Sequence, residues 1–384
     1  MKEVNSRPYT VYILRSTGIN PDPRAMKTAV WLYHAGYTVR IIGWDRNCDS
    51  AEKENVNGVD VKRFRIPSSY GKGIRNIFQL FLFNIKLFCT LFKDTPDAIH
   101  ACDLDTVVPA MLIKKIKKVK IVYDIYDFYA ESRRVGKLEP LIRWIERYIS
   151  RKSDFIILAH EKRIEQLGKL PPIEKKKVIT IYNTPEDIQI TKRSGIVPLH
   201  PFFSYVGILS HDRGLLSVID AVAELNNVRL VLAGFGSLEQ VIMEKALLGN
   251  NTTFLGKIPY EDAIIIQGSS LAIIAMYDPL VPNNRYAAPN KLYEAAMLGK
   301  PVITSEGTLF ADIVKQEGIG YVVPYGDVEK LKNACLDMLC NNNERESMGK
   351  KSRKLYEEIY SADAMRKVLT TKYKELFKRD RTFF

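Results

Sequence analysis

The sequence predicts an α/β protein made of two parallel-sheet domains that face each other across a cleft. Three observations carry this: short β-branched apolar runs alternate with helix-length amphipathic segments, the alternation comes in two series, and a stretch of linker composition separates them. The 384 residues also exceed what one typical core accommodates. In the first series the strands are Tyr9–Leu14, Thr38–Gly43, Ala98–His100, Lys120–Tyr123, Phe155–Leu158 and Val178–Tyr182, giving a first domain over residues 1–184. Residues 185–200 read as the linker, because the Asn183-Thr184-Pro185 start, Ser194-Gly195 and Pro198 are turn formers. Strands resume at Phe203–Val206, Val228–Ala233, Thr253–Leu255, Leu271–Ala275, Pro301–Thr304 and Gly320–Val323, giving a second domain over residues 201–360. Over residues 361–384, Met365, Val368, Leu369, Tyr373, Leu376 and Phe377 recur at helical spacing and predict a long amphipathic helix. Ligands of such sheets bind outside the carboxyl ends of the strands, so two facing sheets suit a two-substrate reaction.

Charge narrows the partners. With 57 basic and 44 acidic side chains the formal net charge is +13, which favours an anionic partner such as a nucleotide, a nucleic acid or an acidic lipid. No nucleic-acid-binding module accompanies the charge, and no GxxxxGK[ST] loop is present. The five cysteines lack CxxC spacing, which argues against a disulfide framework or a zinc site and points to a reducing, cytoplasmic setting. Met1-Lys2-Glu3-Val4-Asn5-Ser6-Arg7 leads into a strand without a signal-peptide apolar region, so export is not expected. Residues 74–88 are apolar apart from a stripe that holds Arg75, Asn76, Gln79 and Lys86 and continues to Thr90 and Lys93. Such a helix either wedges into the domain core or lies in a membrane interface beside Lys114, Lys115, Lys117, Lys118 and Lys120. The second alternative would bring the chain to an anionic membrane at its cytoplasmic face; the polar interruptions argue against a spanning helix.

The most informative segment runs from Pro289 to Thr304: Pro289-Asn290-Lys291-Leu292-Tyr293-Glu294-Ala295-Ala296-Met297-Leu298-Gly299-Lys300-Pro301-Val302-Ile303-Thr304. Pro289 suits a helix start, Gly299 a left-handed stop, and an apolar strand follows. A diphosphate would be stabilised at that helix N-terminus by free amides and Lys291, and Glu294 would accept hydrogen bonds from a ribose diol. This stretch resembles the nucleotide-binding signature of the GT-B glycosyltransferases of family four, the group 1 glycosyltransferases. Further segments resemble the same family along nearly the whole chain.

Gly207-Ile208-Leu209-Ser210-His211-Asp212-Arg213-Gly214 resembles the loop where that family sets a glycine and a cation against the donor diphosphate, which makes Arg213 the candidate clamp. The family's second basic residue is replaced by Ile208. Gly234 and Gly236 would let backbone approach the nucleotide, and the segment ending in Ile258 resembles the one whose backbone pairs with the base. Tyr286 stands where the family's first glutamate is common. In the first domain, Gly18 follows strand one in a loop resembling the one that approaches donor phosphate. Tyr123-Asp124-Ile125-Tyr126-Asp127 resembles a strand-end motif in which Tyr126 replaces a common histidine and Asp127 is the candidate acid or base. Asp103-Leu104-Asp105 resembles the family's loop before a helix, and His100 reads as a packed strand residue, so no metal is expected.

The resemblance implies two Rossmann-like domains with the C-terminal helix returning to the first. It also implies a retaining transfer from a nucleotide diphosphate sugar, a UDP-sugar foremost, to a hydroxyl of a glycan or lipid-linked acceptor, without cofactor or metal. Donor contacts would come from Gly18, Gly207, Gly234, Gly236, Ile258, Tyr286, Pro289, Asn290 and Glu294, and the chemistry from Arg213, Lys291 and Asp127. A nucleotide-sugar epimerase of the same fold and a non-catalytic sugar- or lipid-binding partner are the alternatives.

Overall fold

Both sheets of the computed structural model are built outward from a central strand, and in each the order reverses once. The structure describes residues 7–19, 22–68, 76–132, 135–168, 171–188, 197–249 and 251–378. Residues 189–196 of the expected linker, residues 379–384 of the expected last helix, and Arg75 of the polar stripe lie outside them. One unit comprises Met1–Tyr182 with Met365–Phe384, the other Asn183–Ala364.

The first unit contains β1 (Thr10–Leu14), α1 (Pro23–His34), β2 (Thr38–Asp45), β3 (Lys53–Val56), β4 (Val59–Arg65), α2 (Ile77–Lys93), β5 (Ala98–Cys102) and α3 (Leu104–Ile116). It continues with β6 (Lys120–Ile125), α4 (Tyr129–Ser132), α5 (Glu139–Lys152), β7 (Phe155–Leu158), α6 (Pro172–Lys175) and β8 (Val178–Thr180). Its sheet runs β3-β4-β2-β1-β5-β6-β7-β8, parallel except for β3. All six expected strands are present, their ends within two residues of expectation. The hairpin β3–β4 is an addition to the expected elements. Its tight turn places Asn57 and Gly58 at φ 52° and 82°, the paired left-handed conformation that matches strand twist.

The core of this unit joins one face of the sheet to α2 and α3, with Trp44 stacked on Phe83 at 5.2 Å and its indole N–H donated to the Ile66 carbonyl at 2.8 Å. Helix α2 buries Phe83, Leu87 and Leu91 but exposes Ile77, Phe78, Phe81, Ile85 and Phe92, so core packing accounts for only one of its two apolar faces.

The second unit contains β9 (Phe202–Ile208), α7 (Leu215–Ala223), β10 (Arg229–Phe235), α8 (Glu239–Leu247), β11 (Thr252–Phe254), α9 (Tyr260–Ser269) and β12 (Ile273–Ala275). After these come α10 (Pro282–Arg285), α11 (Asn290–Leu298), β13 (Val302–Ser305), α12 (Leu309–Glu317), β14 (Gly320–Val323), α13 (Val328–Cys340) and α14 (Asn342–Leu355). The order β11-β10-β9-β12-β13-β14 is that of a doubly wound nucleotide-binding sheet. Helix α15 (Ala362–Lys378) carries the chain back to the first unit, where Phe377 stacks on Tyr9 at 4.0 Å and the buried Tyr373 meets Tyr37 and Phe155 edge-on at 5.7 and 5.5 Å.

Candidate functional site

In the second unit the strand order reverses between β9 and β12, where an open α/β sheet leaves a crevice at the carboxyl ends of its strands. Gly207 on β9 and Gly234 on β10 lie opposite one another in register, at φ 153° and 141°. A Cβ on Gly234 would stand 1.8 Å from the Gly207 carbonyl oxygen, and one on Gly236 2.4 Å from that of Leu209. Bare backbone is therefore obligatory at this edge. Gly234→Ala is expected to destabilise the second unit by about 3 kcal/mol or more, from a strained φ plus overpacking, read as a lower urea midpoint for that unit's transition.

Helix α11 points its N-terminus into this region. Pro289 proves to be the N-cap, in extended conformation, rather than the first helical residue, and Asn290 opens the helix. Proline has no side-chain acceptor for the first amides, so they keep their partial positive charge. Gly299 ends the helix at φ 61°, as its spacing predicts. Lys291, only 8% exposed, packs its Nζ 4.4 Å from the Tyr205 ring centroid and within 2.6 Å of where a Gly207 Cβ would sit. Burial lowers its pKa to about 8; Glu294 opposes the shift and Arg213 adds to it. Glu294, one turn on, is pushed upward by burial, while Lys291 and a hydrogen bond from Gln267 Nε2 at 3.2 Å act against that. A cation that burial and the helix dipole both disfavour is stabilised once an anion joins it.

Arg213 ends a single turn before Gly214, which is left-handed at φ 58°. Its guanidinium lies 4.4 Å from the Tyr277 ring, is ion-paired with Asp212, and approaches Asn284 Oδ1 at 3.4 Å. The clamp expected from sequence is thus already partly neutralised by its neighbour. Ile208 is exposed and Tyr286 half-buried, whereas Ile258 packs against the small cluster of Phe202, Val231 and Ile266.

In the first unit the order reverses between β1 and β5. There Arg15 pairs with Asp22 at 2.7 Å and with Asp103, and Ser16 Oγ donates to Asp105 Oδ2 at 2.9 Å. Both carboxylates of the Asp103-Leu104-Asp105 triplet are therefore held by protein donors, and Asp103 also accepts the Tyr126 amide at 2.8 Å. Burial raises the Asp103 pKa to about 6 against the pull of Arg15. The Tyr126 ring lies 4.1 Å from the guanidinium of Arg15 and 3.9 Å from that of Arg24. Asp127 is half exposed, 3.4 Å from Arg163 Nη2. The Gly18 carbonyl accepts from Arg63 Nε, and a Cβ there would meet nothing closer than 3.8 Å, so the loop does not itself demand glycine. Ligand atoms of His100, Cys102 and Asp124 lie within 4.8 Å of one another. Asp124 is ion-paired with Arg24, however, and His100 bridges Asp124 at 3.2 Å and the Tyr373 hydroxyl at 2.9 Å, so these groups form a buried network of their own.

The structure thus gathers Gly207, Gly234 and Lys291 at one strand edge of the second unit, with Glu294 a turn further along α11, and places Gly18 and Asp127 in the first. Sequence reasoning missed Tyr205 under Lys291, Gln267 on Glu294, and Asp212 with Asn284 on Arg213. Gln267 left a trace as a polar residue ending the run Ile264-Ile265-Ile266, and Asp212 stands beside Arg213 in the loop itself.

Comparison with known proteins agrees with this division. Residues 187–355 match the family model for glycosyl transferases group 1, and residues 21–184 match that for a glycosyl transferase 4-like domain. The O-antigen chain mannosyltransferase C of Escherichia coli is 26% identical over 167 residues, 43% of this chain and 44% of that protein. The phosphatidyl-myo-inositol mannosyltransferase of Mycobacterium leprae (strain TN) is 29% identical over 141 residues, 34% of each. Each match spans less than half of the relative's own length. Among solved structures, sucrose-phosphate synthase from Thermosynechococcus elongatus superposes with a TM-score of 0.78 at 16% identity, covering 96% of this chain and 100% of that one. Anabaena HepE in complex with UDP-glucose does so with a TM-score of 0.71 at 14% identity, over 96% and 100% of the two chains. Matched on both halves by glycosyl transferase models and along its length by this fold, the chain belongs to the group 1 glycosyl transferases of GT-B fold.

Proposed function

We propose that the protein transfers a sugar from a nucleotide diphosphate sugar, a UDP-sugar foremost, to a hydroxyl of a glycan or lipid-linked acceptor, with retention of configuration, in glycan biosynthesis. The observation that carries this reading is Lys291: a buried ammonium at a helix N-terminus, facing glycine-only strand ends. The diphosphate takes up the α11 amides and the Lys291 ammonium, Glu294 accepts hydrogen bonds from the ribose hydroxyls, and Ile258 and Tyr286 flank the nucleoside. As the glycosidic bond breaks, Lys291 and Arg213 stabilise the charge growing on the departing diphosphate, and a phosphate oxygen takes the acceptor proton. These two cations supply the charge that a metal would otherwise provide, so the reading includes no cofactor. Asp127 orients the acceptor hydroxyl.

The solved neighbour that holds UDP-glucose and the mannosyltransferase names of the relatives favour a nucleotide-activated hexose. Among the described residues no helix is long and apolar enough to cross a membrane. The open apolar face of α2 and the lysines near α3 favour peripheral contact with an anionic membrane at the cytoplasmic face, with no role for nucleic acid.

Calorimetric titration with UDP, GDP and ADP tests the reading. One nucleotide is expected to bind selectively, and Glu294→Ala to weaken it about tenfold or more, the cost of a lost charged hydrogen bond. Absence of binding by all three would overturn it. The lowered Lys291 pKa adds a pH dependence. Only the protonated ammonium recruits the diphosphate, and the bound anion raises its pKa, so affinity falls as pH rises through about 8. A loss of about twentyfold between about pH 7.5 and about pH 9.5 is expected, and Lys291→Met should flatten the profile.

A further inference from the structure

A second concavity lies in the first unit, between α2 and α3, with a volume of about 600 Å³, in the range of small-molecule sites. Its walls are almost wholly apolar, with Phe81, Ile85 and Phe88 from α2 facing Val108 and Leu112 from α3. The polar side chains that reach it include two already engaged: Asn84 Nδ2 donates to the Leu80 carbonyl at 2.8 Å, and Asp105 accepts from Ser16. With so few polar groups in its walls, burial of hydrocarbon is the main interaction that the groove offers.

Both helices start at the carboxyl edge of the sheet, because each returns the chain from one strand's carboxyl end to the amino end of the next parallel strand. Asp105 therefore ties the groove to the loop after β1, where Ser16 and Arg15 stand at the reversal of strand order. At the opposite end, Lys117 lies 4.7 Å from the Phe92 ring, with Lys115 and Lys118 exposed nearby on the chain. On α5, which packs against α3, the exposed Trp144 and Tyr148 stack on each other at 5.7 Å. Apolar surface with open aromatics and flanking lysines is the pattern of a face that rests on an anionic lipid surface.

We propose that the α2–α3 groove takes one hydrocarbon chain of a membrane amphiphile, placing its polar end at the carboxyl edge of the first unit as the acceptor. This rests on the transferase reading above and narrows it to a lipid-linked acceptor. The charge pattern selects a lipid over a second copy of the chain, since two faces carrying the same lysines repel.

The test uses the purified full-length protein and cis-parinaric acid, a fatty acid whose fluorescence rises on leaving water. Saturable binding of one molecule per chain is expected. Val108→Trp, which fills the groove, and Leu112→Asn, which makes its wall polar, should each weaken binding about tenfold or more, the loss when a few methylenes forfeit burial. Both positions are exposed, so unchanged urea midpoints should accompany the losses. Non-saturable binding, equal affinity in both variants, or a dimer abolished by Val108→Trp without fatty-acid binding would each overturn the proposal. Titration of the same samples with UDP, GDP and ADP separates the two readings. Failure of parinaric acid with intact nucleotide binding sinks the groove alone, and failure of all three nucleotides with intact groove binding sinks the transferase reading.

Discussion

Lys291→Met is expected to weaken nucleotide diphosphate binding about a hundredfold and to abolish measurable transfer, with stability unchanged or raised. The wild-type ammonium is buried against the Tyr205 ring and Gly207, and burial has already lowered its pKa to about 8. In the empty protein it is therefore a destabilising charge, and Met fills nearly the same space without it. In the complex the same ammonium faces a phosphate oxygen with little water between, where a charged hydrogen bond contributes about 3 kcal/mol, or roughly a hundredfold. Calorimetry and urea unfolding on one preparation read both halves. Equal affinity in the variant would mean that the lysine only packs on Tyr205 and that the anion binds elsewhere. Lys291→Arg does not rescue in this picture, because Nζ already lies 2.6 Å from the point a Gly207 Cβ would occupy and a guanidinium is bulkier.

That lysine is legible in the sequence because local signals agree: a proline at the helix start, a glycine that stops the helix at φ 61°, and a strand after it. The central strands among the twelve expected are legible for the same reason, being short apolar runs buried on both faces, whereas β8, β11 and β14 at the sheet ends are only partly buried. The hairpin β3–β4 is harder to read although Asn57-Gly58 is a strong turn signal, because Lys53-Glu54-Asn55-Val56 is an edge strand with solvent-facing polar residues and carries no apolar run. Partners that come from distant chain positions are not legible at all. Asp212 and Asn284 meet at Arg213 across 72 residues, and Tyr126 is flanked by arginines that belong to the loop after β1 and to α1. Helix α2 shows the limit in another form. Its sequence is apolar on two sides of one polar stripe, and only packing decides that Phe83, Leu87 and Leu91 face inward while Phe78, Phe81 and Ile85 do not.

Arg24→Met is expected to destabilise the first unit by about 3–5 kcal/mol, because it strands a carboxylate rather than because it opens a cavity. Asp124 has a side-chain exposure of 2%, and Arg24 and His100 are its charged and hydrogen-bonding partners. Burial alone pushes Asp124 upward, yet Arg24 and His100 together hold it below its ordinary value. In the wild type this contribution is present above the unfolded carboxylate pKa of about 4 and is lost as pH falls through the lower folded value. In Arg24→Met the sign reverses: Asp124 prefers its neutral form, so the deficit against wild type shrinks as pH falls toward about 4 and Asp124 is protonated. Urea unfolding of both proteins at pH values from about 4 to about 8 reads this directly, and a deficit independent of pH would assign the loss to packing on Tyr126 instead. Arg24→Met with Asp124→Asn removes the stranded charge and should recover a large part of the stability. That double variant separates the network's role in folding from any part in the reaction: if Arg24 serves only to neutralise Asp124, UDP affinity in the second unit stays at the wild-type value.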